Sequence, residues 1–396
     1  MLLDYLQYSA LPSEPTSLSF LSRFLRKLPY RLKRNIDMLN DSFGQPEIKT
    51  IAVCAAQVPF FSGGAEIHVN ALIEQLRNRG YEVELINIPY KWYPHSQLLD
   101  IMDFWKKLDL TESNGKKIDM VIATKFPSYF IQHPRKVLWL IHQYRQMYDL
   151  LDSPYSGFDM NNAKDRQLRD EFVAMDTEAL SSYKYRFTNA QNTANRLQKY
   201  NGLESRALYH PPRLVGKYQN ISYEDYVLSV GRLDKLKRLD ALISALPFLN
   251  STIKCKIAGS GPERDSLEKL ARKFNVSDRV EFLGYVSDDD LIQLYGRSSA
   301  VYFAPQDEDY GYITLEAFLS QKPVITTADA GGPLEFVEHE LNGLILQSLH
   351  PEELAKSIER LVSDKPLCAK MGQSGFQNVE HITWQPVIDA LLEAAY

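Results

Sequence analysis

In "PQDEDYGYITLEAF" two carboxylates, Glu308 and Glu316, stand with seven residues between them and Gly311 in the interval. A helix opening near Tyr312 carries Glu316 in its first turns while Glu308 stays in the preceding loop, so both aim at one cleft beside unpaired backbone N–H groups. Carboxylates suit vicinal hydroxyls, because each oxygen accepts from an adjacent O–H. That is the chemistry of sugar or ribose recognition; the plainer reading is that Glu316 only complements the helix dipole. In "SVGRLDKLKRLD", Arg232 and Lys237 lie five apart in a loop leaving a strand. A planar guanidinium and a mobile ammonium can clamp a diphosphate there, although two solvated charges beside Lys235 and Arg238 fit the same spacing. A third feature is Gly63-Gly64 in "FFSGGAEIHVNALIEQL", between an apolar run and a helix. A helix N-terminus unobstructed by side chains favours phosphate or a developing anion; a tight turn alone would also explain the pair.

The elements that must hold these residues follow one grammar of strand, glycine loop and helix. "TIAVCAAQV" reads as a buried strand, the glycine loop and its helix follow, and the helix stops at Gly80 before the strand "YEVELINI". "DMVIATK" and "KVLWLIH" have the continuous apolar character of parallel strands, and "DRQLRDEFVAMDTEALSSYKY" reads as a surface helix. The proline-rich "YHPPRLVGKYQN" breaks the alternation and marks a domain boundary. Beyond it the grammar restarts with "DYVLSVGRL", "RLDALISALPFL", "IKCKIAGSGP" and "ERDSLEKLARKF". The strands "RVEFLGYV", "SAVYFAP", "KPVITTAD" and "NGLIL" complete it. The expected architecture is α/β, with two facing, Rossmann-like, doubly wound domains and a ligand cleft between them. The expected division is a preface, residues 1–48; a first domain, 49–214, rejoined by a C-terminal helix, 384–396; and a second domain, 215–383.

The length of 396 residues suits two domains of roughly 200 residues each. With 44% hydrophobic and 24% charged residues the composition is that of a globular protein, and a net charge of −5 argues against a nucleic-acid partner. Cys54, Cys255 and Cys368 are scattered without metal-ligand spacing, which fits a reducing cytoplasm. No stretch reaches the roughly 18 apolar residues of a membrane span.

Together these pieces resemble glycosyltransferase family 4, the retaining, nucleotide-sugar-dependent enzymes with the GT-B fold, over roughly residues 50 to 390. The resemblance rests on "SGGAE", "VGRLDKLKR", "IAGSGPERDSLEKLA", "EDYGYITLEAF" and "TADAGGPLEFVEHELNGLIL", in the family's order. It implies that Gly63 and Gly64 let the first domain approach the donor's phosphates, and that Arg232 and Lys237 hold the diphosphate. Gly259 and Gly261 are counted with the donor site. Glu316 would bind ribose hydroxyls and Glu308 those of the transferred sugar, assisted by the N–H groups of Gly311, Tyr312 and Ile313. His142, in "LWLIHQYRQ", takes the place of the family's strand-end histidine near the reacting sugar. The partners implied are a nucleotide-sugar donor and a glycan or lipid-linked acceptor, with no cofactor and no metal. In two departures, Tyr310 and Tyr312 flank Gly311, which puts an extra phenol hydroxyl in the donor pocket, and Ala190 stands where a serine is common.

Rival readings attach to the same residues. An epimerase or hydrolase on this architecture would turn over donor without an acceptor, and a non-catalytic relative would bind nucleotide only. A metal-dependent transferase is suggested by "SDDDL" and "QDEDY", but Asp288 to Asp290 read better as a helix start capped by Ser287. A dehydrogenase is disfavoured because "GSGPER" fails the last glycine of G-x-G-x-x-G. In the preface, Leu21, Phe24, Leu25, Leu28, Leu32, Ile36 and Leu39 recur at helical spacing among Arg23, Arg26, Lys27, Arg31, Lys33 and Arg34. Residues 17–39 thus suit either an arm packed on the first domain or a helix lying in an anionic membrane surface, with Pro29 kinking both. The expected location is cytoplasmic, peripheral at the inner membrane face on the second alternative.

Overall fold

Strand β1 (Thr50–Gln57) is buried from Ile51 to Ala56 and carries apolar or small residues on both faces, as a central parallel strand requires. The computed structural model describes residues 47–60, 63–91 and 93–396; the preface helix read in residues 17–39 lies outside them. After β1, helix α1 (Gly64–Asn78) buries Val69, Leu72, Ile73 and Leu76, the three- and four-residue spacing that lays one face on a sheet. It ends where Gly80 turns to φ 89°. β2 (Glu82–Pro89), α2 (Gln97–Lys107), β3 (Met120–Lys125), β4 (Lys136–His142), α3 (Ala163–Ser181), β5 (Arg186–Thr188), α4 (Gln191–Asn201) and β6 (Arg206–Ala207) follow. All six strands pair in parallel, in the order β2-β1-β3-β4-β5-β6.

The second sheet begins with β7 (Tyr226–Val230) and α5 (Leu239–Ala245). It continues through β8 (Lys254–Ala258), α6 (Arg264–Lys273), β9 (Val280–Gly284), α7 (Asp288–Arg297), β10 (Ala300–Tyr302), α8 (Tyr312–Leu319), β11 (Val324–Thr327) and β12 (Gly343–Leu346). Its order is β9-β8-β7-β10-β11-β12, again all parallel, with a switch point between β7 and β10. Val227 belongs to one buried cluster and its neighbour Leu228 to another, so both faces of the sheet are covered. Ser287 caps α7, its hydroxyl accepting from the Asp290 N–H at 3.2 Å.

Helices α9 (Pro351–Ser363) and α10 (Lys365–Val379) complete the second domain's cover. The last helix, α11 (Trp384–Glu393), lies against α1 of the first domain: Arg79 donates to the Gln385 side chain at 3.1 Å, and the Trp384 ring meets Trp139 edge-on. Residues from Lys49 to Tyr396 form one compact unit. Among the described residues no helix is long and apolar enough to cross a membrane. The three cysteines are free and buried.

Candidate active site

The loops leaving β7 and β8 are zipped together by backbone bonds. The Gly231 N–H donates to Ala258 and the Leu233 N–H to Ser260, at 2.9 and 3.0 Å. A Cβ on Gly259 would fall 1.9 Å from the Gly231 carbonyl oxygen, and one on Gly261 2.3 Å from that of Leu233. These glycines therefore give the Arg232 loop room to pass. Arg232 stands exposed at its tip. A 3-10 turn, Lys235–Lys237, then swings Lys237 inward, where its ammonium pairs with the Glu308 carboxylate. Asp234 lies within the field of Arg232, Lys237 and Glu308, and burial raises its carboxyl above the usual value.

Glu308 sits in the loop between β10 and α8, its N–H donating to Ala330 and its carbonyl accepting from Gly332, both at 2.8 Å. Gly311, at φ 84°, starts α8 in the left-handed region, and a Cβ there would press on Pro333 at 2.9 Å. The turn leaves the first N–H groups of α8 without intrahelical partners beside Glu308. Glu316 lies in the second turn, partly buried, and accepts from the Tyr295 hydroxyl at 2.7 Å with Tyr218 also facing it. Burial raises its carboxyl, and the two hydroxyls and Arg213 offset part of the rise.

Across from this, the first domain presents the N-terminus of α1. The Gly63 N–H donates to the Glu66 carboxylate at 2.8 Å, and Lys125, nearly buried at the end of β3, pairs with the same carboxylate at 2.7 Å. A Cβ on Gly64 would lie 3.8 Å from the Tyr312 ring, an ordinary contact, so the glycine loop of one domain faces the helix start of the other. His142 ends β4, its Nδ1 against the Gln143 carbonyl at 2.8 Å. Burial holds its imidazole below the ordinary value, against the opposing pull of Asp309.

The structure thus joins Lys237 with Glu308 directly and Gly64 with Tyr312, and sets His142 beside the acidic loop. One expectation is corrected. The phenols flanking Gly311 are spent on the segment that joins the two sheets: the Tyr310 hydroxyl donates to the His210 carbonyl at 2.6 Å and accepts its N–H at 3.0 Å, while Tyr312 bonds the His210 imidazole. A phenol 3% exposed must find such partners. His210 itself stacks on Tyr310 and meets the His68 ring edge-on, and burial pushes it down to about 3. The acids of "QDEDY" also have partners: Arg196 meets Asp309 at 2.6 Å, and Arg145 reaches Asp307 and Asp309 at 3.5 and 3.6 Å. Sequence reasoning missed Glu66, Lys125, Arg145, Arg196 and His210. Glu66 alone carried a local signal, an acid at the third position of a helix that starts on glycine.

Compared with known proteins, residues 215–378 match the family described as "Glycosyl transferases group 1". An uncharacterized glycosyltransferase of Methanocaldococcus jannaschii is 36% identical over 143 residues, covering 36% of each chain. Overall, the matches span 36% to 53% of the lengths of the curated relatives. Among solved structures, the sucrose-phosphate synthase of Thermosynechococcus elongatus superposes with a TM-score of 0.72 at 18% identity, over 88% of this chain and 100% of that one. Anabaena HepE, crystallised with UDP-glucose, gives 0.61 at 16%, over 87% and 98%. At such identities the likeness is one of fold, and the fold is GT-B.

Proposed function

We propose that the protein is a retaining glycosyltransferase that moves a hexose-like group from a nucleoside diphosphate sugar to a hydroxyl of a glycan or lipid-linked acceptor. The observation that carries this reading is the Lys237–Glu308 pair, set between the Arg232 loop and the start of α8, whose Tyr312 ring lies against Gly64 of the other domain. The group 1 family match and the UDP-glucose bound by a neighbour of the same fold support it.

As the glycosidic bond breaks, charge grows on the departing phosphate. Arg232, Lys237 and the N–H groups of Gly311 to Ile313 then stabilise the transition state more than the ground state. Glu308, kept beside an ammonium, accepts from sugar hydroxyls, and Glu316 from those of the ribose. The leaving phosphate takes the acceptor's proton on the same face, so no covalent nucleophile is assigned and no metal is required. The basic segment 17–39 holds the protein at an anionic membrane surface, where lipid-linked acceptors reside. Proton NMR of the newly formed glycoside tests the stereochemistry: the donor's anomeric configuration is expected, and an inverted centre would overturn the retaining mechanism.

A further inference from the structure

Helix α4 packs on β5 and β6 of the first domain, yet its outer side is engaged by the second. Ala190 at its N-cap offers no side-chain acceptor. Glu335, beyond β11, supplies one from across the cleft, accepting the N–H groups of Gln191 and Asn192 at 2.8 and 2.7 Å. The Asn192 amide donates to Asp307 at 2.7 Å and to the Glu308 carbonyl at 2.8 Å. Arg196, only 5% exposed, pairs with Asp309. From the turn after β4, Arg145 donates to the Asp307 carbonyl at 2.9 Å. Burial opposes ionisation of Asp309, but the Arg196 and Arg145 guanidiniums hold its carboxyl well below the usual range.

The two acids on either side of Glu308 therefore face the first domain, while Glu308 faces Lys237 in the second. Asp307 sits at φ 44°, a region sparsely populated by residues other than glycine, where these contacts hold it. The geometry points to a latch: docking of α4 and Arg145 onto Asp307 and Asp309 aims the intervening Glu308, and Asp309, held by Arg196, is the positioning residue. This rests on the reading of Glu308 as the group that grips the donor sugar. Parting the domains would remove both arginines and the Asn192 amide from the loop at once, leaving the bonds to Ala330 and Gly332. The sugar-binding carboxylate is then correctly held only when the acceptor-side domain is docked, which guards the donor against reaction with water.

The test uses the full chain carrying Asp309→Asn, with Asn192→Ala as a second variant should the first fail to fold. Turnover is measured with UDP- and GDP-hexoses, affinity by titration with UDP alone. Spin labels at the exposed Glu171 and Lys269 report the interdomain distance, the native thiols being buried. The latch predicts a kcat lowered about tenfold or more, UDP affinity within about threefold of wild type, and a broadened distance distribution. A merely structural role would instead lower kcat and UDP affinity together with thermal stability. An unchanged distance distribution would overturn the latch whatever the activity, and an unchanged kcat with a broadened one would overturn the positioning role. If the wild type turns over none of these donors, the functional reading falls, and the distance distribution alone judges the latch.

Discussion

Replacing Lys237 with alanine removes the ammonium that pairs with Glu308, and its effects on folding and on turnover should differ in size. The two side chains are 20% and 27% exposed, so water screens the pair, and its loss should cost about 0.5–1 kcal/mol of stability. For a domain of this size that is a fall of about 1–4 °C in Tm. During transfer the same ammonium meets a phosphate gaining charge, and a charge-assisted hydrogen bond there contributes about 1.5–3 kcal/mol. The rate should therefore drop about ten- to hundredfold. Release of nucleoside diphosphate, measured beside thermal unfolding of the same sample, separates the two effects. Arg232→Ala, at an exposed position on the same loop, should show a comparable rate loss with less change in Tm. Near-wild-type turnover in both variants, or an activity loss explained by the unfolded fraction, would refute the donor clamp.

Activity should persist in excess EDTA, since cationic side chains and the start of α8 neutralise the diphosphate; complete loss restored by magnesium or manganese would favour a metal-dependent reaction. Asp176 is buried, accepts from the Tyr129 and Tyr148 hydroxyls at 2.5 Å each, and is pushed up by burial to about 7. The folded protein keeps its proton where the unfolded chain, near 3.8, has released it, so this residue makes stability fall as pH rises between those values. Urea unfolding of Asp176→Asn at pH 5 and pH 8 should show that this part of the pH dependence is gone, and an identical dependence in both proteins would contradict the assignment. Intact protein should sediment with anionic vesicles at low salt and much less at high salt, whereas a chain starting at Gln45 should not; equal sedimentation of the two forms would remove the membrane-surface arm.

The alternation of apolar strands, glycine loops and amphipathic helices was legible because parallel strands buried on both faces read as unbroken apolar runs. Lys237, Glu308 and the turn at Gly311 were legible for a local reason, since loops at strand ends carry their side chains into the cleft by sequence position. Strands β5 and β6, of three and two residues, are too short to display a period. The partners of Asp307 and Asp309 were hidden because they lie more than 100 residues away, and a charge run shows nothing of what packs against it. Ala190 illustrates the same limit: a missing serine cap looks inert in sequence, while in the fold its function passes to Glu335 of the other domain.

The most direct test of sugar transfer is the release of nucleoside diphosphate from a panel of nucleotide sugars, followed with and without glycan and lipid-linked acceptors. Acceptor-dependent release with one donor, appearance of the sugar on the acceptor, and loss of both in Lys237→Ala are the predicted results. Donor turnover that ignores every acceptor and leaves none of them glycosylated would contradict the account.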